Sequence, residues 1–385
     1  MEADGIHVDG IHTGGYRGVE SMGIFNASIG WTVILPSDVA YVKKAAEDLS
    51  HYIGLLANGT NADGASNVPI VDAFDPAPES AVIILSSSEH GCERNGFIWR
   101  AGEDRVEISG DSGRGLCNGI YSFLAALGIS WPAPGLEELP TPEEGANLFL
   151  LASTGESFPS EDGKPKSTNP PSAVKLPVAV NQQRFIPSGK SEVKKLLGKG
   201  EVFVEWAARR RYDALVFPLA AYASESTGRK LKQLRQSAEE YGIALEAGGR
   251  ELSSLVPRRY FIFHPDFFRM EDGKRKKDHH FCPTNPDVTR LIAKEGERLF
   301  RSAPDAAIIH LWPDKGAEAA WCSCPTCRAF SSLEQNRIAI NAAADALAAL
   351  NHDADHEVFI SYYEKPGEGG KIKPRKNTFS ISEIP

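Results

Sequence analysis

The sequence predicts an α/β protein in which a small N-terminal α/β accessory domain precedes a (β/α) TIM-like barrel, incomplete at its C-terminal end. Apolar runs of strand length alternate with segments of helical periodicity along most of the chain. After residue 177 six candidate strands can be counted, in a region shorter than the about 250 residues of a full barrel. We expect an N-terminal extension at 1–29, the accessory domain at 30–150, a Ser/Thr/Pro/Gly-rich linker at 151–176 and the barrel at 177–385.

The charge balance excludes some classes of partner. The chain has 385 residues, with 42 Lys and Arg against 51 Asp and Glu, and its formal net charge is −9. An acidic chain without a basic stripe argues against a nucleic-acid partner.

No apolar run approaches the about 20 residues that span a bilayer, so we expect no membrane span. Residues 1–10 lack the regions of a signal peptide, which leaves a cytoplasmic protein or a trimmed secreted or periplasmic one.

The N-terminal elements follow from short apolar runs and from helical spacing. The predicted strands are 31–35, 81–85, 96–100 and 106–109, and the predicted helices are 39–56 and 113–127. Residues 101–104 form the turn of a predicted hairpin. The glycines at 110, 113 and 115 do not match a phosphate-binding loop, since the Lys-Ser/Thr pair and the G-x-G-x-x-G spacing are absent. We interpret them as a tight strand-to-helix turn.

An ordered motif in this region resembles a known accessory domain. It runs through Ile108-Ser109-Gly110, Arg114-Gly115, Gly119-Ile120-Tyr121-Ser122-Phe123-Leu124, Leu127-Gly128-Ile129-Ser130-Trp131 and Pro134-Gly135. It is similar to the N-terminal domain of bacterial α-glucuronidases and of family 20 β-hexosaminidases, over about residues 30–140. The resemblance implies that this domain is structural and that the chemistry lies in the barrel that follows.

The C-terminal part repeats strand and helix. Its predicted strands are 178–180, 214–217, 243–247, 306–312, 357–363 and 377–381, and its predicted helices are 191–197, 202–211, 228–241, 289–301 and 336–350. This order is typical of a parallel sheet. An open barrel leaves an unpaired edge. We expect residues 367–385, or a second copy of the chain in a homo-oligomer, to cover it, unless the chain is part of a longer protein.

Further motifs resemble an uncharacterised bacterial family with a glycoside-hydrolase-like barrel. They are Trp206, Tyr212-Asp213, Tyr241-Gly242-Ile243, Gly248, His264-Pro265-Asp266-Phe267-Phe268, Cys282-Pro283-Thr284-Asn285-Pro286 and Trp321-Cys322-x-Cys324-x-x-Cys327. The family commonly has a His after the Gly near 248, where this chain reads Gly249-Arg250-Glu251. The resemblance implies a class of enzyme and not a reaction.

Four cysteines form the candidate metal site. Cys322, Cys324 and Cys327 lie within six positions, and Cys282 lies forty residues upstream. Thiolates that converge on one point suit Zn²⁺, so a structural zinc is one interpretation. A disulfide and free buried thiols are the alternatives, and the histidines at 279, 280 and 310 are substitute ligands. No cofactor is expected to be required for catalysis. Cys92 and Cys117 are predicted core residues.

Glycoside hydrolysis normally needs two carboxyl groups. Asp314 follows the strand at 306–312, and the C-terminal ends of barrel strands carry active sites, so we expect it to act as the general acid. Its candidate partners are Glu246, Glu251 and Glu364. The candidate substrate-binding residues are Trp312, Tyr362, Arg184 and His310, because aromatic rings stack on sugars and polar groups bind hydroxyls or carboxylates.

The leading hypothesis is a glycoside hydrolase that acts on an oligosaccharide or polysaccharide. The alternative is a carbohydrate-binding protein that keeps the barrel groove without catalysis. A thiol or metal-dependent redox enzyme is a third interpretation, based on the cysteines alone.

Overall fold

The structure is a computed structural model that describes residues 24–35, 37–58, 67–72, 81–87, 95–141, 147–149, 154–157, 183–304, 306, 308–350, 358–365, 367 and 369–381. Two six-stranded sheets with helices packed against them account for most of this part of the chain. None of the helices in these ranges combines the length and the apolar character that crossing a bilayer requires.

The N-terminal sheet mixes parallel and antiparallel strands. Its region contains β1 (Ile24–Asn26), β2 (Thr32–Leu35), α1 (Ala40–Asn58), β3 (Ile70–Asp72), β4 (Val82–Ser87), β5 (Phe97–Ala101), β6 (Arg105–Gly110), α2 (Gly113–Ala126), β7 (Ser130–Ala133), β8 (Leu136–Glu138), β9 (Asn147–Phe149) and β10 (Thr154–Ser157). The strand order is β10-β5-β6-β4-β2-β3, while β1 pairs with β9 and β7 with β8. The predicted strands, the hairpin and both helices are confirmed within a few residues.

Four residues of the predicted linker form a strand of the N-terminal sheet. Thr154–Ser157 pairs antiparallel with β5 and extends the N-terminal sheet. Such pairing satisfies backbone groups that an edge strand would otherwise leave open, and this outweighs the polar composition of the segment. The rest of the predicted linker, residues 151–153 and 158–176, lies outside the described residues.

Close packing explains the glycines between β6 and α2. A Cβ atom at Gly110 would lie 2.1 Å from the backbone nitrogen of Leu116, and one at Gly115 would lie 2.3 Å from the carbonyl oxygen of Gly96. No side chain fits at such distances, so the chain can turn from strand to helix here only with glycine. Ser112 caps α2 by accepting a hydrogen bond from the Gly115 nitrogen.

The C-terminal sheet is parallel throughout and its strands follow chain order. Its region contains β11 (Arg184–Phe185), α3 (Lys190–Lys199), α4 (Glu201–Arg209), β12 (Ala214–Phe217), α5 (Leu219–Ala223), α6 (Glu225–Glu240), β13 (Ala244–Gly249), β14 (Met270–Glu271), β15 (Lys274–Arg275), α7 (Pro286–Phe300), β16 (Ile308–Leu311), α8 (Ser332–Leu350), β17 (Phe359–Tyr363) and β18 (Thr378–Ile381). The order is β11-β12-β13-β16-β17-β18, and β14 and β15 form a separate hairpin.

Five of the six predicted strands of this sheet are confirmed, and the strand predicted at 178–180 lies outside the described residues. In the part of the chain that is described, β11 and β18 each have a neighbour on one side, and no closed barrel forms. After β17 the chain folds back on α8, where Arg337 and Asn341 donate hydrogen bonds to the carbonyls of Ile372 and Lys373. The chain then returns to add β18.

The two faces of the C-terminal sheet have different neighbours. One face packs on α7 and α8 through residues such as Ile309 and Ile360. The other carries a cluster of its own, the inner cluster, formed by Ile308, Trp312, Phe359, Phe379 and Ile381. Alternation along the strands therefore gives this sheet an inner face, and the polar side chains of the candidate site occupy part of it.

Candidate functional site

The loops after β13 and β16 run side by side at the C-terminal edge of the sheet. The Leu252 nitrogen donates to the carbonyl of Trp312 (3.1 Å), and the Trp312 nitrogen donates to the carbonyl of Gly249 (2.8 Å). Gly248 has a φ of +98°, and a Cβ there would lie 2.2 Å from the carbonyl oxygen of His310. Glycine is therefore required for β13 to approach β16 and turn into its loop.

Asp314 lies on the second of these loops and is partly open to solvent. Its Oδ1 accepts a hydrogen bond from the hydroxyl of Ser253 (2.9 Å). Its Oδ2 lies 3.6 Å from Nη2 of Arg258 and 3.8 Å from Nδ1 of His279. The side chain keeps 29% of its surface exposed. A carboxylate here can meet a ligand and is oriented by groups from the neighbouring loop.

Glu251 is the second carboxylate at this edge. One of its oxygens accepts a hydrogen bond from the backbone nitrogen of Leu219, at the start of α5 (3.0 Å). Burial raises the pKa of Glu251 above its ordinary value, and the hydrogen bond from Leu219 opposes that rise only in part. Such a carboxyl group retains its proton to higher pH than a solvated one does.

Glu246, Arg184 and His310 form a buried cluster on the inner face. Nε of Arg184 lies 2.6 Å from Oε2 of Glu246, and Nε2 of His310 lies 2.7 Å from the same oxygen. The three come from β13, β11 and β16, and their side chains are 1%, 4% and 0% exposed. The structure thus brings three predicted site residues together, and they bind one another.

The charges in this cluster are fixed by its geometry. Burial would raise the pKa of Glu246, but Arg184 and His310 outweigh burial and hold that pKa at about 2. Burial lowers the pKa of His310, although the charge of Glu246 and its hydrogen bond act to raise it. His310 therefore donates from Nε2–H to an ionised carboxylate. Within the described residues its Nδ1 has no hydrogen-bond partner.

Glu364 and Tyr362 face α8 rather than the inner face. Both oxygens of Glu364 lie 2.9 Å from Nη2 of Arg337, and the hydroxyl of Tyr362 donates to one of them (3.1 Å). Burial raises the pKa of Tyr362 to about 12, so it remains a phenol at neutral pH. Among the described residues, no hydrogen bond or ion pair joins Glu364 or Tyr362 to Asp314.

Trp312 is buried in the inner cluster. Its side chain is 1% exposed, and its Nε1 donates to the hydroxyl of Ser361 (2.9 Å). Its ring centroid lies 4.5 Å from that of His310. The ring therefore faces protein on the inner face rather than the solvent-exposed side of the loops.

Sequence reasoning missed Ser253 and Arg258 beside Asp314. They lie about sixty residues upstream of Asp314 in the chain, and no spacing rule links the two segments. The sequence suggests His279 as a substitute metal ligand, whereas the structure places its Nδ1 3.8 Å from Oδ2 of Asp314. The basic run at 274–277 contains the hairpin strand β15, where Arg275 donates to the carbonyl of Phe268 (2.7 Å).

The four predicted metal ligands do converge. The Sγ atoms of Cys282, Cys322, Cys324 and Cys327 all lie within 4.8 Å of one another, and all four residues are buried. The loops that carry them are the loops that carry Ser253 and Asp314. Cys117 lies apart from them in α2, and Cys92 is outside the described residues.

A family model without an assigned function matches part of the chain. A family model described as "Domain of unknown function (DUF4838)" matches residues 203–363, which is less than half of the chain. This range contains Glu246, Glu251, Asp314 and all four clustered cysteines. No curated protein matches the chain.

The structural neighbours are glycoside hydrolases at low sequence identity. A β-N-acetylhexosaminidase from Bacteroides fragilis matches with a TM-score of 0.42 and 13% identity, over 94% of this chain and 67% of its own. A GH20 exo-β-N-acetylglucosaminidase from Vibrio harveyi gives 0.45 and 12%, over 94% and 55%. A chitobiase from Flavobacterium johnsoniae gives 0.46 and 10%, over 93% and 52%. The chain thus spans about half to two thirds of the length of these structures.

Proposed function

We propose that this chain is a glycoside hydrolase that cleaves an O-glycosidic bond of an oligosaccharide or polysaccharide at the C-terminal edge of its parallel sheet. The observation that carries the proposal is Asp314, a partly exposed carboxylate oriented by Ser253 and facing Arg258 and His279. Parallel α/β folds bind ligands at this edge, where loops from several strands meet. The motifs that resemble glycoside-hydrolase-like proteins support the same class.

Glu251 is the proposed second carboxyl group. It lies on the loop that pairs with the backbone of Trp312, two residues before Asp314. Its raised pKa suits a proton donor, while Asp314 faces the guanidinium of Arg258 at 3.6 Å and keeps part of its surface exposed. The environments of the two groups favour Glu251 as the acid, which reverses the role that the sequence suggested for Asp314.

The proposed step balances with water as the only co-reactant. Glu251 gives its proton to the glycosidic oxygen as the bond from that oxygen to the anomeric carbon breaks. Asp314 stabilises the positive charge that develops on the sugar ring, either by direct attack or by accepting a proton from the incoming water. The water supplies the hydroxyl group of the new reducing end. Its other proton goes to Glu251 when Asp314 attacks directly, whereas when Asp314 accepts that proton, exchange with solvent reprotonates Glu251 and deprotonates Asp314.

A second candidate function is a glycan-binding protein without catalysis. Glu246 and Glu364, two of the carboxylates predicted from the sequence, are each paired with an arginine. These pairs remove both from the set of free acids and bases. If Glu251 does not serve in their place, the site would bind a sugar and leave the glycosidic bond intact.

Turnover on a panel of aryl-glycosides and oligosaccharides tests the proposal. We expect Asp314→Asn and Glu251→Gln each to lower kcat by about 10²- to 10⁴-fold, the usual contribution of acid–base groups. Asp345→Asn is the matched control, because Asp345 lies on the exposed surface of α8 and pairs with Arg375. Saturable glycan binding without turnover would establish the second candidate, and a folded chain with neither would contradict both.

A further inference from the structure

The cysteine cluster joins two loops that are far apart in the sequence. Cys282 precedes α7, while Cys322, Cys324 and Cys327 lie between β16 and α8. Their side chains form a small buried cluster of their own, with Met270 packed against it. Four sulfurs that meet in one place are the ligand set of a structural zinc site.

The distances between the sulfurs fit a shared ion better than a disulfide. The Sγ of Cys282 lies 3.7 Å from that of Cys324 and 3.6 Å from that of Cys327. A disulfide bond is about 2.05 Å long. A zinc–thiolate bond is about 2.3 Å, so the edges of a regular ZnS₄ tetrahedron are about 3.8 Å. The two recorded separations lie close to that edge length.

Hydrogen-bond donors point at the sulfurs. The backbone nitrogens of Met270 and Cys327 lie 3.3 Å from Sγ of Cys322 and 3.4 Å from Sγ of Cys324. Nη1 of Arg275 lies 3.7 Å from Sγ of Cys322. Donors of this kind stabilise thiolates, and a cation offsets the two negative charges that remain when four thiolates bind one Zn²⁺. Neutral thiols buried in a core need neither.

The segment that holds the sulfurs is itself fixed to the fold. The side chain of Gln335, in α8, accepts from the Cys322 nitrogen (3.1 Å) and donates to the carbonyls of Cys322 and Cys327. The rings of His280 and Trp321 stack at 4.2 Å between centroids and join the same two loops nearby. The sulfurs are therefore held in place from both sides of the cluster.

We propose that Cys282, Cys322, Cys324 and Cys327 bind one structural Zn²⁺ through their four thiolates. A site filled by four thiolates has no open position for a substrate, so the ion is not catalytic. Its effect is to clamp the loop of Ser253, Arg258 and His279 to the loop of Asp314. The clamp holds the surroundings of Asp314 in place whether or not the chain hydrolyses glycans.

Metal analysis of the full-length protein tests the site. We expect about one zinc per chain after dialysis against metal-free buffer, as four thiolates bind one ion tightly. Cys282→Ser and Cys324→Ser should each lose most of it, while the control Cys117→Ser should retain it, because Cys117 lies in α2. Replacement by Co²⁺ should give the intense sulfur-to-metal charge-transfer bands of a tetrathiolate site.

A labelling experiment keeps the test valid if the serine variants do not fold. In the native protein, the four cysteines should resist alkylation until a chelator removes the metal, and peptide mapping should then find label on all four. The proposal would be overturned if the isolated protein held no zinc and the reduced protein did not take up added Zn²⁺. A disulfide between any two of the four in the freshly isolated protein would overturn it as well.

Discussion

Arg114 of α2 and Asp213, which precedes β12, form a buried ion pair in which Nε lies 3.3 Å from Oδ1. The same guanidinium donates to the carbonyls of Tyr212 (2.8 Å) and Tyr241 (3.2 Å). Asp213 also accepts from the side-chain amide of Asn118 (3.0 Å). One apolar core runs beneath these contacts, from the N-terminal helices into α4 and α6. The N-terminal region and the start of the parallel sheet therefore share one buried core.

We expect Arg114→Met to destabilise the protein by about 3–5 kcal/mol, because it leaves the Asp213 carboxylate buried without its cation. Chemical denaturation measures the change in the free energy of unfolding. Arg229→Met is the control, since Arg229 pairs with Glu225 on the exposed surface of α6 and should cost less than about 1 kcal/mol. Equal effects of the two substitutions would contradict the structural role of Arg114.

The acid stability of the protein should depend on Glu246. Its pKa of about 2 is depressed from an ordinary value of 4.5, so the folded state binds this proton less readily than the unfolded state does. A depressed carboxyl pKa adds stability that is complete above pH 4.5 and is lost as the pH falls from 4.5 towards 2. The shift corresponds to about 3 kcal/mol at most.

The substitution Glu246→Gln isolates this effect. We expect it to destabilise the protein at pH 7 and to bring the two stability curves together as the pH falls below 4.5, because the wild-type carboxylate becomes protonated there. Urea denaturation between pH 7 and pH 3 measures both curves. A difference that stays constant across this range would show that Glu246 does not hold a depressed pKa.

Trp312 should act through packing. Trp312→Ala removes a fully buried ring and its hydrogen bond to Ser361, and we expect a loss of about 3–5 kcal/mol. Phe263→Ala is the control, because that ring is 81% exposed and its removal should change stability by less than about 0.5 kcal/mol. A stable Trp312→Ala protein that no longer binds glycans would instead support the role that the sequence suggested.

Glu364 gives a test that separates structure from catalysis. It accepts two hydrogen bonds from buried Arg337, so Glu364→Gln should lower stability by about 1–3 kcal/mol. Any glycosidase activity should persist, since among the described residues no hydrogen bond or ion pair joins Glu364 to Asp314. Thermal unfolding and turnover of the same preparation measure the two effects. Loss of turnover without loss of stability would instead support a catalytic role for Glu364.

Local patterns predicted most of the elements of this fold. The helix predicted at 113–127 is found at Gly113–Ala126, because its apolar spacing and its Ser112 cap agree with its packing. The strand Arg184–Phe185 was not predicted, because a strand of two residues is too short to show a periodic pattern in the sequence. The strand Thr154–Ser157 was missed because pairing with β5, and not its own composition, makes it a strand.

The candidate site was predictable only in part. The cysteines were found because their residue type and spacing are informative even without the fold. The state of Glu246 could not be found, because its partners Arg184 and His310 reach it from two other strands, 62 and 64 residues away. Burial and pairing decide whether a carboxylate can act as an acid, and both are properties of the folded chain.

The pH dependence of turnover tests the division of roles between Glu251 and Asp314. A general acid must carry its proton, so kcat/KM should fall as the pH rises through the pKa of Glu251, which burial places above the ordinary value for a glutamate. Glu251→Gln should lower the rate and abolish this fall, because a Gln side chain does not titrate. Substrates whose leaving group needs no protonation should lose much less activity in Glu251→Gln than in Asp314→Asn, since only the second variant lacks the charge that stabilises the sugar cation. The two roles are exchanged if kcat/KM of Asp314→Asn, and not of Glu251→Gln, no longer falls at high pH and if Asp314→Asn is the variant that keeps activity on substrates whose leaving group needs no protonation.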